Sequence, residues 1–221
     1  KLLTASTEFT VTIEAGFGTP AEVVWDGQSI TEPTKNSNGA YVITSPAELA
    51  WLAASVNGTV SRAGEPKTFL GETFVLDSDI NLGGQLWTPI GQSSKISVFR
   101  GTFDGQGHTI SGLKVQNEDG AGLFGYVSGN INHLTIDGAE ITSHHYAGAL
   151  VGWLQSVDSQ AHNRCNVINC HAKNVKVALT PDANHDNGDK AGALIGYSVR
   201  LTIENCTVEN AEVTAYRDVA G

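Results

Sequence analysis

A short glycine-rich phrase recurs along the second half of this chain and limits the folds that the chain can adopt. It reads "AGLFGY" at residues 121–126, "AGALVGW" at 147–153 and "AGALIGY" at 191–197, and its first two letters return at residues 220–221. Same-sense repetition at intervals of a few tens of residues is typical of solenoids, in which each repeat packs only against its neighbours. The sequence therefore predicts a stack of similar units, with the last unit interrupted at the C-terminus.

Apolar columns allow the repeats to be aligned. If Leu113, Leu134, Cys170 and Cys206 are equivalent, they lie 21, 36 and 36 residues apart. Apolar residues then stand three positions earlier at Ile110, Ile131, Val167 and Ile203, and two positions later at Val115, Ile136, Ala172 and Val208. Four positions later come Asn117, Gly138, Asn174 and Asn210, residue types that tolerate left-handed backbone angles and so predict a corner. In three of the four repeats, a further short strand is predicted to begin at Ile141, Val177 and Val213.

These spacings predict an all-β fold, a parallel β-helix, because each coil needs about three short strands and their corners. The glycine-rich phrase would be one strand of each coil, with its leucine and aromatic residues filling the interior and its glycines allowing close approach. Cys170 and Cys206 would act as small buried hydrophobic residues in their column.

One α-helix is predicted near the N-terminus, at residues 46–57. Ser45 is a favourable N-cap, Pro46 suits the first helical position, and Glu48 completes a capping box. A single apolar stripe suggests that this helix lies against the first coil as a cap. Residues 1–38 are predicted to hold a short β segment followed by a polar linker, "TEPTKNSN", and residues 39–221 the β-helix.

Composition argues against several classes of function. The 23 acidic and 13 basic residues give a net charge of -10, which disfavours binding to nucleic acid. No apolar run approaches the roughly 20 residues that a membrane-spanning helix needs. Three cysteines are too few for a disulfide framework in a chain of 221 residues.

The ordered phrases "YVITSPAELAWLAASVNG", "FVLDSDINL", "WTPIG", "FRGTFDGQGHTISGLKV", "AGLFG" and "AGALVG" resemble the GLUG-repeat β-helix region of bacterial surface proteins. That region occurs in adhesin-like proteins of Bacteroides-type bacteria and upstream of the catalytic domain in streptococcal immunoglobulin A1 proteases. The resemblance covers residues 39–221. It implies a right-handed parallel β-helix on an exported protein, at the cell surface or outside the cell, with adhesion as its role.

The sequence lacks the catalytic motifs of two classes of enzyme that such proteins include. The H-E-x-x-H zinc motif of metalloproteases is absent from the sequence, which argues against peptidase activity. The N-T-D, D-D and G-H-G elements of polygalacturonases are also absent, and Asp104 in "FDGQG" is better explained as a turn former than as an acid. We therefore expect no enzymatic activity and no obligatory cofactor.

Two polar insertions interrupt the longer repeats, at about residues 154–165 and 179–190. Loops on a rigid scaffold commonly carry binding residues, so ligand binding is predicted at Trp153, Asp158, His162 and Arg164. Trp153 is the preferred exposed aromatic residue, whereas core packing is favoured for most other tryptophan and tyrosine residues, including Tyr126, Tyr146 and Tyr197. A polar surface role is favoured for the pair His144 and His145.

The second insertion raises the possibility of a metal site. Asp182, Asn184, Asp186 and Asp189 are spaced like the oxygen ligands of a calcium loop, but the glycine comes one position late and no glutamate follows at position twelve. A solvated acidic loop is the favoured interpretation, and calcium is the alternative.

The function predicted from these observations is a non-catalytic adhesion or binding module, monomeric, with a host-surface protein or a glycan as partner. A carbohydrate-processing β-helix enzyme and a structural spacer within a larger surface protein remain the alternatives.

Overall fold

The computed structural model describes residues 22–60, 65–92, 96–117, 119–155, 165–181, 189–215 and 218–220. In chain order the elements are β1 (Thr34–Lys35), β2 (Tyr41–Ile43), α1 (Pro46–Val56), β3 (Thr73–Leu76), β4 (Ile80–Asn81), β5 (Thr102–Asp104), β6 (Thr109–Ser111), β7 (Lys114–Asn117), β8 (Phe124–Val127), β9 (Asn130–Asn132), β10 (Thr135–Asp137), β11 (Glu140–Ser143), β12 (Tyr146–Ala147), β13 (Val151–Gln155), β14 (Cys165–Ile168), β15 (His171–Leu179), β16 (Lys190–Gly192), β17 (Ile195–Val199), β18 (Leu201–Glu204), β19 (Thr207–Thr214) and β20 (Asp218–Ala220). The described part of the chain is therefore mostly β, with one helix, as predicted.

The strands form parallel sheets that the chain visits in a fixed rotation. The first sheet has the order β1-β2-β3-β5-β9-β14-β18, and the second joins β4, β6, β7, β10, β11, β15 and β19. Two smaller sheets follow, β12-β16-β20 and β17-β13-β8. Among the described strands only β1 and β2 pair antiparallel. We call one passage through the first, second and smaller sheets a coil.

The first sheet shows how the coils lengthen along the chain. Phe74 pairs with Phe103, Phe103 with Ile131, Ile131 with Val167, and Val167 with Ile203. Equivalent positions are therefore 29, 28, 36 and 36 residues apart. The two longer intervals are those that contain the polar insertions.

The predicted register is confirmed for the coils that contain Ile136, Ala172 and Val208. It is wrong for the preceding coil, which contains Ile110 and Leu113. Ile136, Ala172 and Val208 pair in a column as predicted, and so do Ile141, Val177 and Val213. However, Ile110 pairs with Ile136, so Leu113 is not equivalent to Leu134. The interval between these coils is 26 residues rather than 21, and Val115 pairs with Ile141 instead.

The positions of the corners between strands agree with this corrected register. Gly138, Asn174 and Asn210 have positive φ angles of 71°, 53° and 52°, which confirms three predicted corners. In the preceding coil the corner falls at Gly112, with φ 64°, because Asn117 lies at the end of β7 and pairs with Ser143. Side-chain amides link successive corners: Asn174 Nδ2 donates to Asp137 Oδ1 at 2.7 Å, and Asn210 Nδ2 donates to Asn174 Oδ1 at 3.2 Å.

Helix α1 begins and ends where the sequence predicts. The Ser45 hydroxyl accepts a hydrogen bond from the Glu48 backbone N–H, while Glu48 Oε2 accepts from the backbone N–H of Thr44 at 2.7 Å. The helix is more deeply buried than a single apolar stripe implies, because nine of its residues, among them Leu49, Leu52 and Val56, are buried. It joins the same core as the first strands.

The N-terminal prediction can be compared only in part. The part of the predicted β segment that precedes residue 22 lies outside the described residues. Val24 forms a parallel bridge with Asn81, and the stretch predicted as a linker contains strand β1, which pairs with β2. These contacts attach residues 24–35 to the beginning of the stack.

A continuous apolar core runs through the stack. It includes Phe74, Phe103, Ile131 and Val167, each fully buried. Cys170 is also buried, as predicted for its column, and burial raises the pKa of its thiol to about 12, so the thiol stays protonated at neutral pH. In the last coil Ile203 and Val208 are 52% and 42% exposed, so the apolar columns reach solvent there.

The partial copy of the phrase at the C-terminus is displaced by one residue from the predicted alignment. Val219 rather than Ala220 pairs with Ala191, and Ala220 pairs with Gly192. The strand β20 nevertheless extends the small sheet formed by β12 and β16.

Candidate binding surface

The structure places Trp153 in strand β13, immediately before the first predicted insertion, and Asp189 immediately before β16, near the end of the second. The other residues predicted for binding lie outside the described residues: Asp158, His162, Arg164, Asp182, Asn184 and Asp186. Their roles stay predictions. The two residues that can be located belong to one connected surface.

Trp153 lies at the centre of four aromatic side chains, which we call the aromatic cluster: Tyr126, Tyr146, Trp153 and Tyr197. The Tyr126 ring stacks on Trp153 with centroids 5.7 Å apart, and Tyr146 and Tyr197 meet it edge-on at 4.5 and 4.8 Å. Tyr126 is buried, and the other three are half-buried. Edge-to-face and offset pairs of this kind add roughly 0.5–1.5 kcal/mol each beyond burial.

The cluster results from the register of the glycine-rich phrase. Tyr126 pairs with Trp153 across β8 and β13, and Trp153 pairs with Tyr197 across β13 and β17. Parallel in-register pairing puts equivalent side chains of successive coils about 4.8 Å apart, which brings three rings into contact. The prediction that the aromatic residues of the phrase fill the interior is therefore wrong for Trp153 and Tyr197, which are half-buried and lie outside the continuous core. Tyr126 is buried, and Leu123, Phe124 and Leu150 of the same phrases lie within the core.

Polar groups border the aromatic cluster. The Tyr126 hydroxyl donates a hydrogen bond to Asp119 Oδ2, and Trp153 Nε1 donates to Gln155 Oε1 at 3.1 Å. Burial, and then the hydrogen bond to Asp119, raise the pKa of Tyr126, so the phenol stays protonated. The border therefore offers the Gln155 amide beside the aromatic rings, whereas Asp119 holds the Tyr126 hydroxyl and its other carboxylate oxygen is buried.

An ion pair connects the aromatic cluster to the second insertion. His145 Nδ1 lies 2.8 Å from Asp189 Oδ1, and the Lys190 backbone N–H donates to the His145 carbonyl at 2.8 Å. The His145 ring is also 6.3 Å from the Tyr146 ring. A chain of contacts thus runs from Trp153 through Tyr146 and His145 to Asp189.

Sequence reasoning identified Trp153 but missed the partners that surround it. His145 was expected to have only a polar surface role, and Asp119 was not singled out. The aligned phrases carried a signal for part of the cluster, because Tyr126, Trp153 and Tyr197 occupy the same position in each copy. Nothing in the local sequence pairs His145 with Asp189, which lie 44 residues apart.

The calcium prediction concerns mostly residues outside the described part of the chain. Among the described residues no group of three or more histidine, cysteine, aspartate or glutamate side chains is placed to hold a metal ion. Asp189, the one candidate ligand that is described, is paired with His145. Within the same residues no helix is both long and apolar enough to cross a membrane.

Fold and surface together define an all-β protein with parallel sheets and a lateral aromatic cluster at the bases of two insertions. No known family model matches the chain. Over 156 residues the chain is 32% identical to halomucin of Haloquadratum walsbyi, an alignment that covers 67% of this chain and 2% of halomucin.

Among solved structures, the chain resembles a putative immunoglobulin A1 protease from Bacteroides ovatus, with a TM-score of 0.54 and 16% identity over 86% of this chain and 66% of that one. The likeness is one of fold. The solved protein carries the immunoglobulin A1 protease name that the sequence resemblance predicted, and the assignment of GLUG repeats stays a prediction.

Proposed function

We propose that this chain is a right-handed parallel β-helix that acts as a non-catalytic binding module of an exported protein, at the cell surface or outside the cell. The fixed rotation of strands through parallel sheets supports the β-helix. The names of the two similar proteins, a halomucin and an immunoglobulin A1 protease, refer to extracellular molecules and support the location.

The observation that carries the binding role is the aromatic cluster. Tryptophan and tyrosine supply large contact areas at low entropic cost and dominate binding surfaces. Here three half-buried rings, Tyr146, Trp153 and Tyr197, stand where both insertions leave the regular coils.

We further propose a glycan as the ligand, in preference to a host-surface protein. Aromatic rings beside an amide and an imidazole can contact both the apolar face and the hydroxyl groups of a sugar. Gln155 and His145 supply those polar groups. The absence of the protease and polygalacturonase motifs supports a binding role without turnover.

A glycan and host-matrix binding array on the purified chain, with and without calcium, tests this proposal. In the double variant Tyr146→Ala/Tyr197→Ala we expect at least about 30-fold weaker binding of any glycan found, because interface hot spots contribute about 2 kcal/mol or more. Leu70→Ala, a change at a 66% exposed apolar residue outside the cluster, is the matched control. Circular dichroism and thermal unfolding verify that both variants are folded.

The outcomes separate the alternatives. Binding that survives both the double variant and replacement of residues 156–164 and 182–188 by short linkers would contradict the site. Binding to proteins but to no glycan would identify the other partner class, and turnover of a polysaccharide would identify an enzyme. No binding at all would favour a structural spacer.

A further inference from the structure

A crevice of about 200 Å³ opens at the beginning of the stack, away from the aromatic cluster. Helix α1 forms one wall, the segment before β1 forms the second, and residues 86–88 form the third. Trp25 and Trp87 both line it and contact each other edge-to-face, with ring centroids 5.3 Å apart. The proposed glycan-binding function does not involve this crevice.

The crevice exists because small residues line one wall and large rings line the others. The helix contributes Ala50, Ala53 and Ala54 to the wall, and their side chains end at Cβ. On the opposite side Trp25 is held in place by its backbone N–H, which donates to the Asn81 carbonyl at 3.0 Å. Small residues facing large fixed rings leave a gap that the chain does not fill with its own described side chains.

A tight turn fixes the segment that carries Trp25. The backbone N–H groups of Gln28 and Ser29 donate to Asp26 Oδ1 at 2.8 and 2.7 Å, and Gly27 provides the positive φ of 81°. Hydrogen bonds from Ser29, first through its side chain, lower the pKa of Asp26 to about 2. These hydrogen bonds fix the segment that carries Trp25 beside the crevice.

The walls are neutral, and several of their polar atoms are already used. None of the described residues that line the crevice is charged. Trp25 Nε1 donates to the Ser29 carbonyl and Trp87 Nε1 to the Leu123 carbonyl, each at 3.1 Å, while Asn57 Nδ2 donates to the Pro89 carbonyl. A charged ligand group would lose its hydration here without compensation.

We propose that this crevice binds one small neutral aromatic molecule, in the size range from phenol to indole. A cavity of about 150 Å³ with apolar walls is large enough to hold benzene, so 200 Å³ is enough for phenol or for the slightly larger indole. The two indole rings favour an aromatic guest through edge-to-face contact. At the mouth, Ile30 and Leu86 are 49% and 57% exposed, and the bound ring covers apolar surface there.

The experiment is a titration of the full chain with phenol and indole, followed by the NMR signals of the tryptophan indole N–H groups. The signals of Trp25 and Trp87 shift and saturate with a Kd of roughly 0.1–1 mM, as expected for ligands of seven to nine heavy atoms. The Trp153 signal is an internal control, since this residue belongs to the aromatic cluster. Assignment uses Trp25→Phe, Trp51→Phe and Trp153→Phe, which identifies the Trp87 signal by elimination among the four tryptophans.

Variants and comparison ligands test the class of guest. Ala54→Leu, which fills the crevice, weakens binding at least tenfold, and Leu86→Ser at the exposed rim weakens it several-fold without disturbing the core. Leu70→Ala leaves the affinity unchanged. Cyclohexanol and benzoate, of similar size, bind at least fivefold more weakly than phenol because one lacks aromaticity and the other is charged.

Three results overturn the proposal. The first is the absence of saturable shifts up to 10 mM ligand in the full chain. This result overturns the proposal even if binding appears after residues 1–21 are deleted. The second is equal binding by folded Ala54→Leu and Leu86→Ser variants. The third is equal affinity for cyclohexanol or benzoate, which would show that the crevice does not select neutral aromatic rings.

Discussion

Glycine residues in the repeated phrase occupy positions where neighbouring coils come too close for any side chain. A Cβ atom at Gly125 would lie 2.1 Å from the Gly91 carbonyl oxygen, and one at Gly152 would lie 2.6 Å from the Ala121 nitrogen. At Gly196 the corresponding distance, to the Ala147 nitrogen, is 2.7 Å. Contacts below 3.0 Å with backbone atoms cannot be relieved by a rotamer change, so close approach explains why the phrase is repeated.

The same three glycines immediately precede Tyr126, Trp153 and Tyr197. Close approach of the backbones at each glycine sets the spacing of the coils at the next position. The aromatic cluster therefore depends on residues that have no side chain of their own.

We expect Gly152→Ala to lower the free energy of unfolding by about 3 kcal/mol or more, because the added methyl group overlaps backbone atoms of the preceding coil. Gly138→Ala is the matched control: its φ of 71° is strained for alanine, but nothing lies within 4 Å of the new Cβ, so about 1 kcal/mol is expected. Urea unfolding of both variants measures the difference. Equal destabilisation would contradict close approach as the reason for glycine.

At the level of elements, the corners between strands are built from left-handed residues connected by side-chain amides. Asn174 has a φ of 53° and accepts from Asn210 while donating to Asp137. The other amide pair, Asn166 to Asn130, lies within strands β14 and β9, where Asn166 Nδ2 donates to Asn130 Oδ1 at 3.1 Å. These two asparagines have similar partners but different backbone conformations.

The difference in backbone conformation between Asn174 and Asn166 gives a prediction in which each site is the control for the other. Asn174→Ala should be less stable than Asn174→Gly by about 1 kcal/mol, because alanine carries the left-handed strain that glycine avoids. At Asn166 the order should reverse, since glycine weakens a strand interior relative to alanine by about 0.5–1 kcal/mol. Thermal or urea unfolding of the four variants measures both differences, and the same order at both sites would show that the corner conformation does not decide the choice of residue.

At the level of elements, the sequence predicted the features that depend on neighbouring residues or on a regular interval. The capping box gave the limits of α1, and the regular interval of 36 residues gave the columns that contain Val167 and Ile203. The register of the earlier coil could not be obtained in this way, because Ile110 and Leu113 repeat the spacing of Ile131 and Leu134. Four residues separate β5 from β6 where two separate β9 from β10, and only the pairing of the strands reveals this difference.

The candidate surface was harder to predict than the fold. Trp153 was identified from its position beside an insertion, but its contacts with Tyr146 and Tyr197 depend on the lateral register between coils. The pairing of His145 with Asp189 depends on where the second insertion rejoins the sheet. Such contacts are set by the path of the chain rather than by periodicity.

On the scale of the whole molecule, each coil is stabilised by the coils on either side. Strand β15 pairs on one side with β10 and β11 and on the other with β19. Among the described residues β19 pairs only with β15. In a stack with nearest-neighbour coupling, a coil with one neighbour is less stable than a coil with two.

Amide hydrogen exchange should therefore be graded along the stack. We expect the amides of β18 and β19 to exchange at least about tenfold faster than those of β14 and β15, because opening the last coil disrupts one interface instead of two. Burial supports the direction: Val167 and Ala172 are fully buried, whereas their partners Ile203 and Val208 are 52% and 42% exposed. The residues compared are equivalent by register, and correction for intrinsic exchange rates removes the effect of sequence.

Exchange measured by mass spectrometry at two protein concentrations tests this gradient. Self-association through the edge of β19 would protect the last coil only at the higher concentration, so the dilute sample reports the isolated stack. Equal protection of β14, β15, β18 and β19 in the dilute sample would show that the chain opens in a single cooperative step. The stability of each coil would then depend on the whole core rather than on its neighbours.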